Sequence, residues 1–361
     1  MDDAGALRAE LADHLLGDGV LHDSRWLKAF RAVPRHEFLP HFYRQLHDGD
    51  WERVTAAHPD WLELVYADRV WVTQFDGDDT VTGGTPTCSS SMPTIMAIML
   101  AALDVHRGQS VLEVGTGTGY NAALLCHVAG SANVTTVDVD SNLSRRARER
   151  LHRNGFEPTC VTGDGALGHP GRAPYDRVLA TCSVSAIPSA WLEQTRPGGL
   201  VVTTLHRPIG AGLVLVSSNG DGTGEGRVLA EDGRFMPLRA HAHPPALAGE
   251  GEFAGEGEFD RRRTTLPFAT ATDPASPFEF FAGIALSGVV AGQDRLAHSD
   301  GSWVYHHGSH VDQGGPRRLW DAAEAAVEQW RDLGEPRRQD FGVSIRHDGQ
   351  FLTFGDLHWH L

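Results

Sequence analysis

Residues 112–120 read Leu-Glu-Val-Gly-Thr-Gly-Thr-Gly-Tyr, LEVGTGTGY, and this stretch decides the fold. A short apolar strand, Ser110 to Val114, runs into a loop with glycines at 115, 117 and 119, and a helix follows from Asn121 to Val128. Strand, tight glycine loop and helix open a βαβ unit. Upstream, Thr94 to Leu103 reads as an apolar helix. Downstream come a strand at Val134–Val139, an arginine-rich helix at Leu143–Asn154 ended by Gly155, and strands at Thr159–Thr162, Arg177–Ala180 and Leu200–Thr204. Strands alternating with helices predict an α/β fold: a doubly wound, mostly parallel sheet with right-handed crossovers.

The flanks differ from this middle. Residues 1–75 read as mostly helical. One helix spans Ala6 to Leu16, stopped by Gly17 and Gly19, and a second is capped by Ser24 and runs to about Val33, before Pro34. Beyond Leu205, Gly212–Ser217 and Arg227–Leu238 read as antiparallel strands. The near-repeat GEGEF at 249–253 and 255–259 is acidic and of low complexity, which predicts a flexible linker over 241–265. Residues 266–361 carry short strands, a helix at about Arg317–Leu333 and a hairpin at Asp348-Gly349. The predicted organisation is an N-terminal helical segment with an active-site loop (1–92), a Rossmann-like domain (93–240), the linker, and a smaller α+β domain (266–361).

The chain has 361 residues, with 31 Lys and Arg against 47 Asp and Glu, a net charge of -16. Nucleic acid and anionic membrane both need a cationic surface, so neither is expected as a partner. No apolar run approaches the ~18 residues of a membrane span. The acidic start MDDAGALRAE lacks the order of a secretion signal, and the expectation is a cytoplasmic protein, monomer favoured. Cys88, Cys126, Cys160 and Cys182 form no CxxC pair, so neither a disulfide framework nor a cysteine-rich zinc site is expected. His306, His307 and His310, with His358 and His360, form no HExxH-type motif and read as surface or partner-facing groups. No metal is expected.

The glycine loop carries the chemistry. Glycines let a ligand approach the backbone, and the following helix N-terminus favours electron-rich groups. A dinucleotide fingerprint would place its third glycine at 120, where Tyr120 stands, so NAD is disfavoured. The spacing fits the loop that holds S-adenosylmethionine in class I methyltransferases. Glu113 can face the positively charged cofactor. Asp138, 23 residues after Gly115, can accept hydrogen bonds from the ribose hydroxyls, and Asp164, in the GDG at 163–165, can reach the adenine amino group. RPGG at 196–199 reads as a turn before the next strand. The candidate cofactor contacts are Glu113, Gly115, Thr116, Gly117, Gly119, Asp138, Val139, Asp164, Gly165 and Thr181, with S-adenosylhomocysteine as product.

VPRHEFLP at 33–40, SMP at 91–93, LEVGTGTGY, the GDG and FMPLR at 235–239 together resemble the protein L-isoaspartyl O-methyltransferases over about residues 1–240. The resemblance implies a carboxylate as methyl acceptor and S-adenosylmethionine as donor. Ser91 matches the family's active-site serine, Ser89 its threonine, and Ser90 replaces its isoleucine. There are departures: the segment VTQFDGDDTVTGGTPTCSSSMP (72–93) is longer and serine-rich, and the chain has a C-terminal region that the repair enzymes are expected to lack. That combination resembles the relatives that accompany ribosomal peptide maturation, above all of graspetides, and also of lanthipeptides and lasso peptides. There the enzyme methylates an aspartate of a cyclised precursor peptide and the ester collapses to an aspartimide. The alternative is isoaspartyl repair. A cofactor-binding regulatory module without transferase activity is disfavoured by the serine segment.

A carboxylate with a pKa near ~4 is already ionised at neutral pH, so the transfer needs no general base. It needs the acceptor oxygen held about ~3 Å from the methyl carbon, away from water. Ser91, with Ser89 or Ser90, can hydrogen-bond and orient that carboxylate. The same serines also read as an N-cap for a helix starting at Pro93, and the two roles are compatible. Gln74–Thr87 reads as a cover over the acceptor pocket, and 266–361 as the part that recognises the peptide. Cys182 reads as a buried small residue, Arg145, Arg146, Arg148, Arg150 and Arg153 as a solvated helix face, and Trp320 and Trp330 as core.

Overall fold

The computed structural model describes residues 3–47, 49–78, 80, 82–239 and 258–361. Its N-terminal part holds helices α1 (Asp3–Gly17), α2 (Ser24–Ala32) and α3 (Arg35–Phe38), strands β1 (His41–Gln45) and β2 (Trp51–Thr55), helix α4 (Trp61–Tyr66), and strands β3 (Trp71–Phe75) and β4 (Pro86–Ser90). The helices were expected; the four-stranded antiparallel sheet, ordered β2-β1-β3-β4, was not. The N-cap of α2 is Asp23 rather than Ser24: its carboxylate accepts from the Arg25 N–H at 2.8 Å.

The middle of the chain alternates as its sequence predicts. It comprises α5 (Pro93–Leu103), β5 (Val111–Val114), α6 (Tyr120–Ala129), β6 (Val134–Asp138), α7 (Ser141–Arg153), β7 (Thr159–Thr162), β8 (Tyr175–Val184), α8 (Ser189–Glu193), β9 (Thr195–Leu205), β10 (Gly212–Ser218) and β11 (Gly224–Val228). Strands β7-β6-β5-β8-β9 are parallel, and β10 and β11 continue the sheet antiparallel. Two predicted boundaries move. RPGG is not a free turn but an irregularity inside β9, where the register jumps between Tyr175↔Thr195 and Arg177↔Leu200. Only Arg227 and Val228 of the expected Arg227–Leu238 strand are in β11; the rest crosses the end of β8.

Of the expected linker, residues 241–257 lie outside the described residues, and Phe259–Arg263 forms a strand, β12. Next along the chain are α9 (Phe268–Thr272), α10 (Glu279–Ala285), β13 (Val290–Gly292), β14 (Arg295–Ala297), β15 (Trp303–His306), β16 (His310–Gly314), α11 (Leu319–Asp332), β17 (Gly342–Arg346), β18 (Gly349–Phe354) and β19 (Leu357–His360). Strands β12 to β16 make a separate five-stranded sheet. Strands β17 to β19 instead join the central sheet through β11, giving ten strands in the order β19-β18-β17-β11-β10-β9-β8-β5-β6-β7.

Period-2 alternation splits the central sheet between two cores. Val111, Leu179, Val202 and Leu213 face the core shared with α1, α2, α5 and α6. Leu112, Val178, Val201 and Val214 face the core shared with α10 and α11, where Trp320 and Trp330 are buried as expected. Among the described residues no helix is long and apolar enough to cross a membrane.

Candidate active site

A cavity of about 310 Å³ opens at the carboxyl ends of β5, β6 and β8. Strand β5 lies between β6 and β8, which leave it in opposite directions through the sheet. This is the switch point where such sheets open a crevice. The glycine loop forms one wall. Gly115, Gly117 and Gly119 all have positive φ, at 96°, 51° and 89°. A Cβ on Gly115 would sit 2.7 Å from Thr181 Oγ1, and one on Gly119 would meet the Ala147 Cβ of α7 at 3.2 Å, so the loop lies against its neighbours. Thr181 closes it from behind by donating to the Gly115 carbonyl at 2.8 Å. Gly165 leaves no room either: its Cβ would fall 2.4 Å from Val114 Cγ1.

The acids beyond the loop divide. Asp138 lines the cavity. Its carboxylate accepts from the N–H groups of Gly117 at 2.9 Å and Asp140 at 3.0 Å, while burial pushes its pKa up against them. Asp164 lines the cavity too and caps the turn after it through the Ala166 N–H at 2.9 Å. Val139, 47% exposed, presents an apolar edge between them. Thr116 is on the wall, its hydroxyl 2.6 Å from that of Thr136. Glu113 does not face the cavity, contrary to expectation. It is fully buried behind the loop, its two oxygens accepting from Asn121 at 2.7 Å and Thr136 at 2.6 Å, and burial pushes its pKa up to about 7. Leu112 and Val114 turn to one face of β5, so Glu113 must turn to the other, toward α6.

The opposite wall is β4 and its continuation, Thr87 to Ser91. The fully buried Arg35, from the VPRHEFLP stretch, holds it by donating to the carbonyls of Ser91 at 3.1 Å, Ala67 at 3.1 Å and Arg69 at 3.3 Å, and to Ser90 Oγ at 3.3 Å. Ser90 is thereby engaged. The hydroxyls of Ser89 and Ser91 have no hydrogen-bond partner among the described residues. The capping reading of the serines fails: the N-cap of α5 is Met92, which makes no side-chain bond. The first turn is satisfied by Asp68, which accepts from Thr94 N at 2.8 Å and Thr94 Oγ1 at 2.7 Å.

A third wall was not assigned from sequence. Phe235–Arg239, the FMPLR stretch, crosses the cavity as a strap tied to Ser183: Ser183 N donates to Met236 O at 3.0 Å and Leu238 N to Ser183 O at 2.8 Å. The motif was the available signal, but nothing local says where it lands. Tyr120, Asn121 and Met96 also line the site, though none was assigned to it from sequence. Cys88 and Cys182 are buried in its walls, their thiols pushed up to about 11 and about 12 by burial, so neither is a thiolate nucleophile at neutral pH.

Comparison with known proteins agrees with this geometry. The family model described as Protein-L-isoaspartate(D-aspartate) O-methyltransferase (PCMT) matches residues 61–242. The chain is 31% identical over 212 residues to the protein-L-isoaspartate O-methyltransferase of Methanosarcina mazei, covering 58% of this chain and 73% of that one. It is 41% identical over 149 residues to that of Xanthobacter autotrophicus, covering 41% and 67%. A solved structure titled protein-L-isoaspartate O-methyltransferase superposes with a TM-score of 0.56 at 22% identity, covering 96% of this chain and 99% of the other. The C-terminal region thus has a structural counterpart under that title, which corrects the expectation that such a region is foreign to proteins so named.

Proposed function

This chain belongs to the protein-L-isoaspartate(D-aspartate) O-methyltransferase family, and from that premise we propose that it esterifies a carboxylate of a protein or peptide with the methyl group of S-adenosylmethionine. Isoaspartyl residues are the acceptor that the relatives' name indicates. One observation carries the reading: a single cavity is lined by the glycine loop with Asp138 and Asp164 and by Ser89 and Ser91.

The residues suit the cofactor. Two carboxylates, Asp138 and Asp164, line the cavity and can accept from hydroxyl and amino groups of an adenosine, and the exposed Val139 can offer an apolar surface to a base. When bound, S-adenosylmethionine supplies an electrophilic methyl group on a sulfonium. The chain does the rest by position. Gly115, Gly117 and Gly119 let the ligand reach the backbone; Asp138 and Asp164 fix its orientation; Ser91, with Ser89, holds the acceptor carboxylate without an ion pair that would quench its nucleophilicity. Ser90 supports them through Arg35. No proton has to be removed from an acceptor that is already anionic.

A second reading has its own observation. The acceptor wall carries Ser89-Ser90-Ser91 and is preceded by the long β3–β4 connection, Asp76–Thr85. These features support a shaped acceptor, an L-aspartate within a cyclised, graspetide-like ribosomal peptide precursor, whose ester then closes to an aspartimide. Three peptides separate the readings: a linear isoaspartyl peptide, its L-aspartyl twin, and a ring-closed aspartyl peptide, each followed by mass spectrometry for methyl gain and later methanol loss. Repair predicts that only the first is esterified, tailoring only the third. No methyl gain on any of them would overturn both.

A further inference from the structure

Gln74 is 2% exposed and its amide is fully engaged. Nε2 donates to the Gly77 carbonyl at 2.9 Å and to Asp140 Oδ2 at 3.1 Å. Oε1 accepts from Thr87 Oγ1 at 2.9 Å and from the Arg239 guanidinium at 3.4 Å. An amide has two donors and two acceptor positions, and all four are used. The partners come from four different pieces of the molecule: the hairpin turn, β4, the N-cap of α7, and the strap.

The partners lead straight to the two working walls. Thr87 is two residues before Ser89. Asp140 is two residues after Asp138, and its N–H donates to Asp138 Oδ1 at 3.0 Å. The other oxygen of Asp140 caps α7 through the N–H groups of Asn142 at 2.9 Å and Leu143 at 3.1 Å, so it is rigidly mounted. The backbone ladder does not do this job. Pairing of β3 with β4 shifts register on both sides of Gln74, between Val72 and Gln74 and again between Gln74 and Phe75. An apolar side chain would fill the same space, but it could not join the walls.

We propose that Gln74 is a positioning residue: it sets the distance between the serine wall and the Asp138 wall through Thr87 and Asp140. The inference rests on the functional reading above, since spacing matters only if something passes between those walls. In-line transfer is steep in distance, a misplacement of about 1 Å costing on the order of a hundredfold. Gln74 touches neither substrate in this scheme and acts through its two partners.

The test uses the full chain with Gln74→Leu, Thr87→Val and Thr87→Ser, reading kcat and KM for the accepted peptide, the Kd for S-adenosylhomocysteine, and Tm. Expected is a fall in kcat of about tenfold or more in Gln74→Leu and Thr87→Val, with KM and Kd within about threefold of wild type. Thr87→Ser, which keeps the hydroxyl, should recover kcat to within about twofold. A kcat within about twofold of wild type in both apolar variants, or losses matched by equal losses in S-adenosylhomocysteine affinity, overturns the role. Should Gln74→Leu fail to fold, the Thr87 pair decides alone. Should wild type methylate no peptide, the functional reading falls by itself, and hydrogen exchange then reads the linkage. S-adenosylhomocysteine should slow exchange of the amides at 87–91 in wild type and not in Thr87→Val, whereas equal protection in both overturns the inference.

Discussion

The two sides of the cavity are held in different ways. The glycine-loop side is made by one continuous stretch and its neighbours in the parallel sheet: positive φ at Gly115, Gly117 and Gly119, and carboxylates where β6 and β7 end. Its shape follows from local backbone geometry. The serine side is assembled from afar. Arg35 from the N-terminal helices bonds Ser90 and Ser91, Gln74 of β3 bonds Thr87 and is itself met by Arg239 from the strap, and Asp68 fixes the helix turn that follows at Thr94. A locally coded wall resists changes elsewhere and fails when its own residues change. An assembled wall can be retuned from several distant positions. The conserving of a ligand pocket and the varying of an acceptor pocket can therefore proceed on one scaffold.

That contrast breaks or sharpens in four experiments. The largest effect belongs to Gly115→Ala. A side chain there adopts a left-handed backbone at a cost of about 1–2 kcal/mol and collides with Thr181. S-adenosylhomocysteine affinity should fall by about a hundredfold or more by calorimetry, since the displaced loop also loses its ligand contacts. Next comes Asp138→Asn, which turns one acceptor into a donor facing the Gly117 or Asp140 N–H; affinity should fall roughly 10- to 100-fold. Ser91→Ala should then show the opposite signature: methyl transfer down about tenfold with S-adenosylhomocysteine affinity unchanged. If Ser91→Ala weakens the cofactor product as much as the transfer, the two walls are not separable.

The fourth effect is read in stability, not in binding or rate, as a pH slope. Burial raises the Glu113 carboxyl from an ordinary value of 4.5 to about 7 in the folded chain. Between those values the folded state holds a proton that the unfolded state has released. Stability contributed by the protonated form is therefore present below about pH 4.5, is lost as pH rises through about 7, and is gone above it. Wild type should lose up to about 3 kcal/mol across that window relative to Glu113→Gln, measured by urea unfolding at the two ends. A parallel pH dependence in both proteins would mean that Glu113 does not titrate there.

The same contrast explains what could be read from residues alone. The β5 loop and the Asp138 and Asp164 positions were legible because glycine spacing and strand ends are local signals. The serine segment was legible as a motif, but not as a wall, because its geometry depends on Arg35 and Gln74. HFYRQ and WERVT at β1 and β2 carry too mixed a pattern to announce strands. Their identity comes from pairing His41↔Thr55 through Gln45↔Trp51 and from β3 alongside. Glu113 sits where a cofactor-facing acid was expected, but strand alternation turned it the other way. FMPLR was visible as a string, and only the bonds to Ser183 place it over the cavity.

The seam between β11 and β17, Gly224↔Ile345 to Arg227↔Gly342, has a bearing on how the molecule comes to be made. The partners stand more than a hundred residues apart, so the chain entropy of closing that loop must be met before the pairing gives anything back. During synthesis the edge of β11 stays bare until the ribosome has released the whole of β17, and a nascent chain stalled before that point carries an open strand that invites the wrong neighbour.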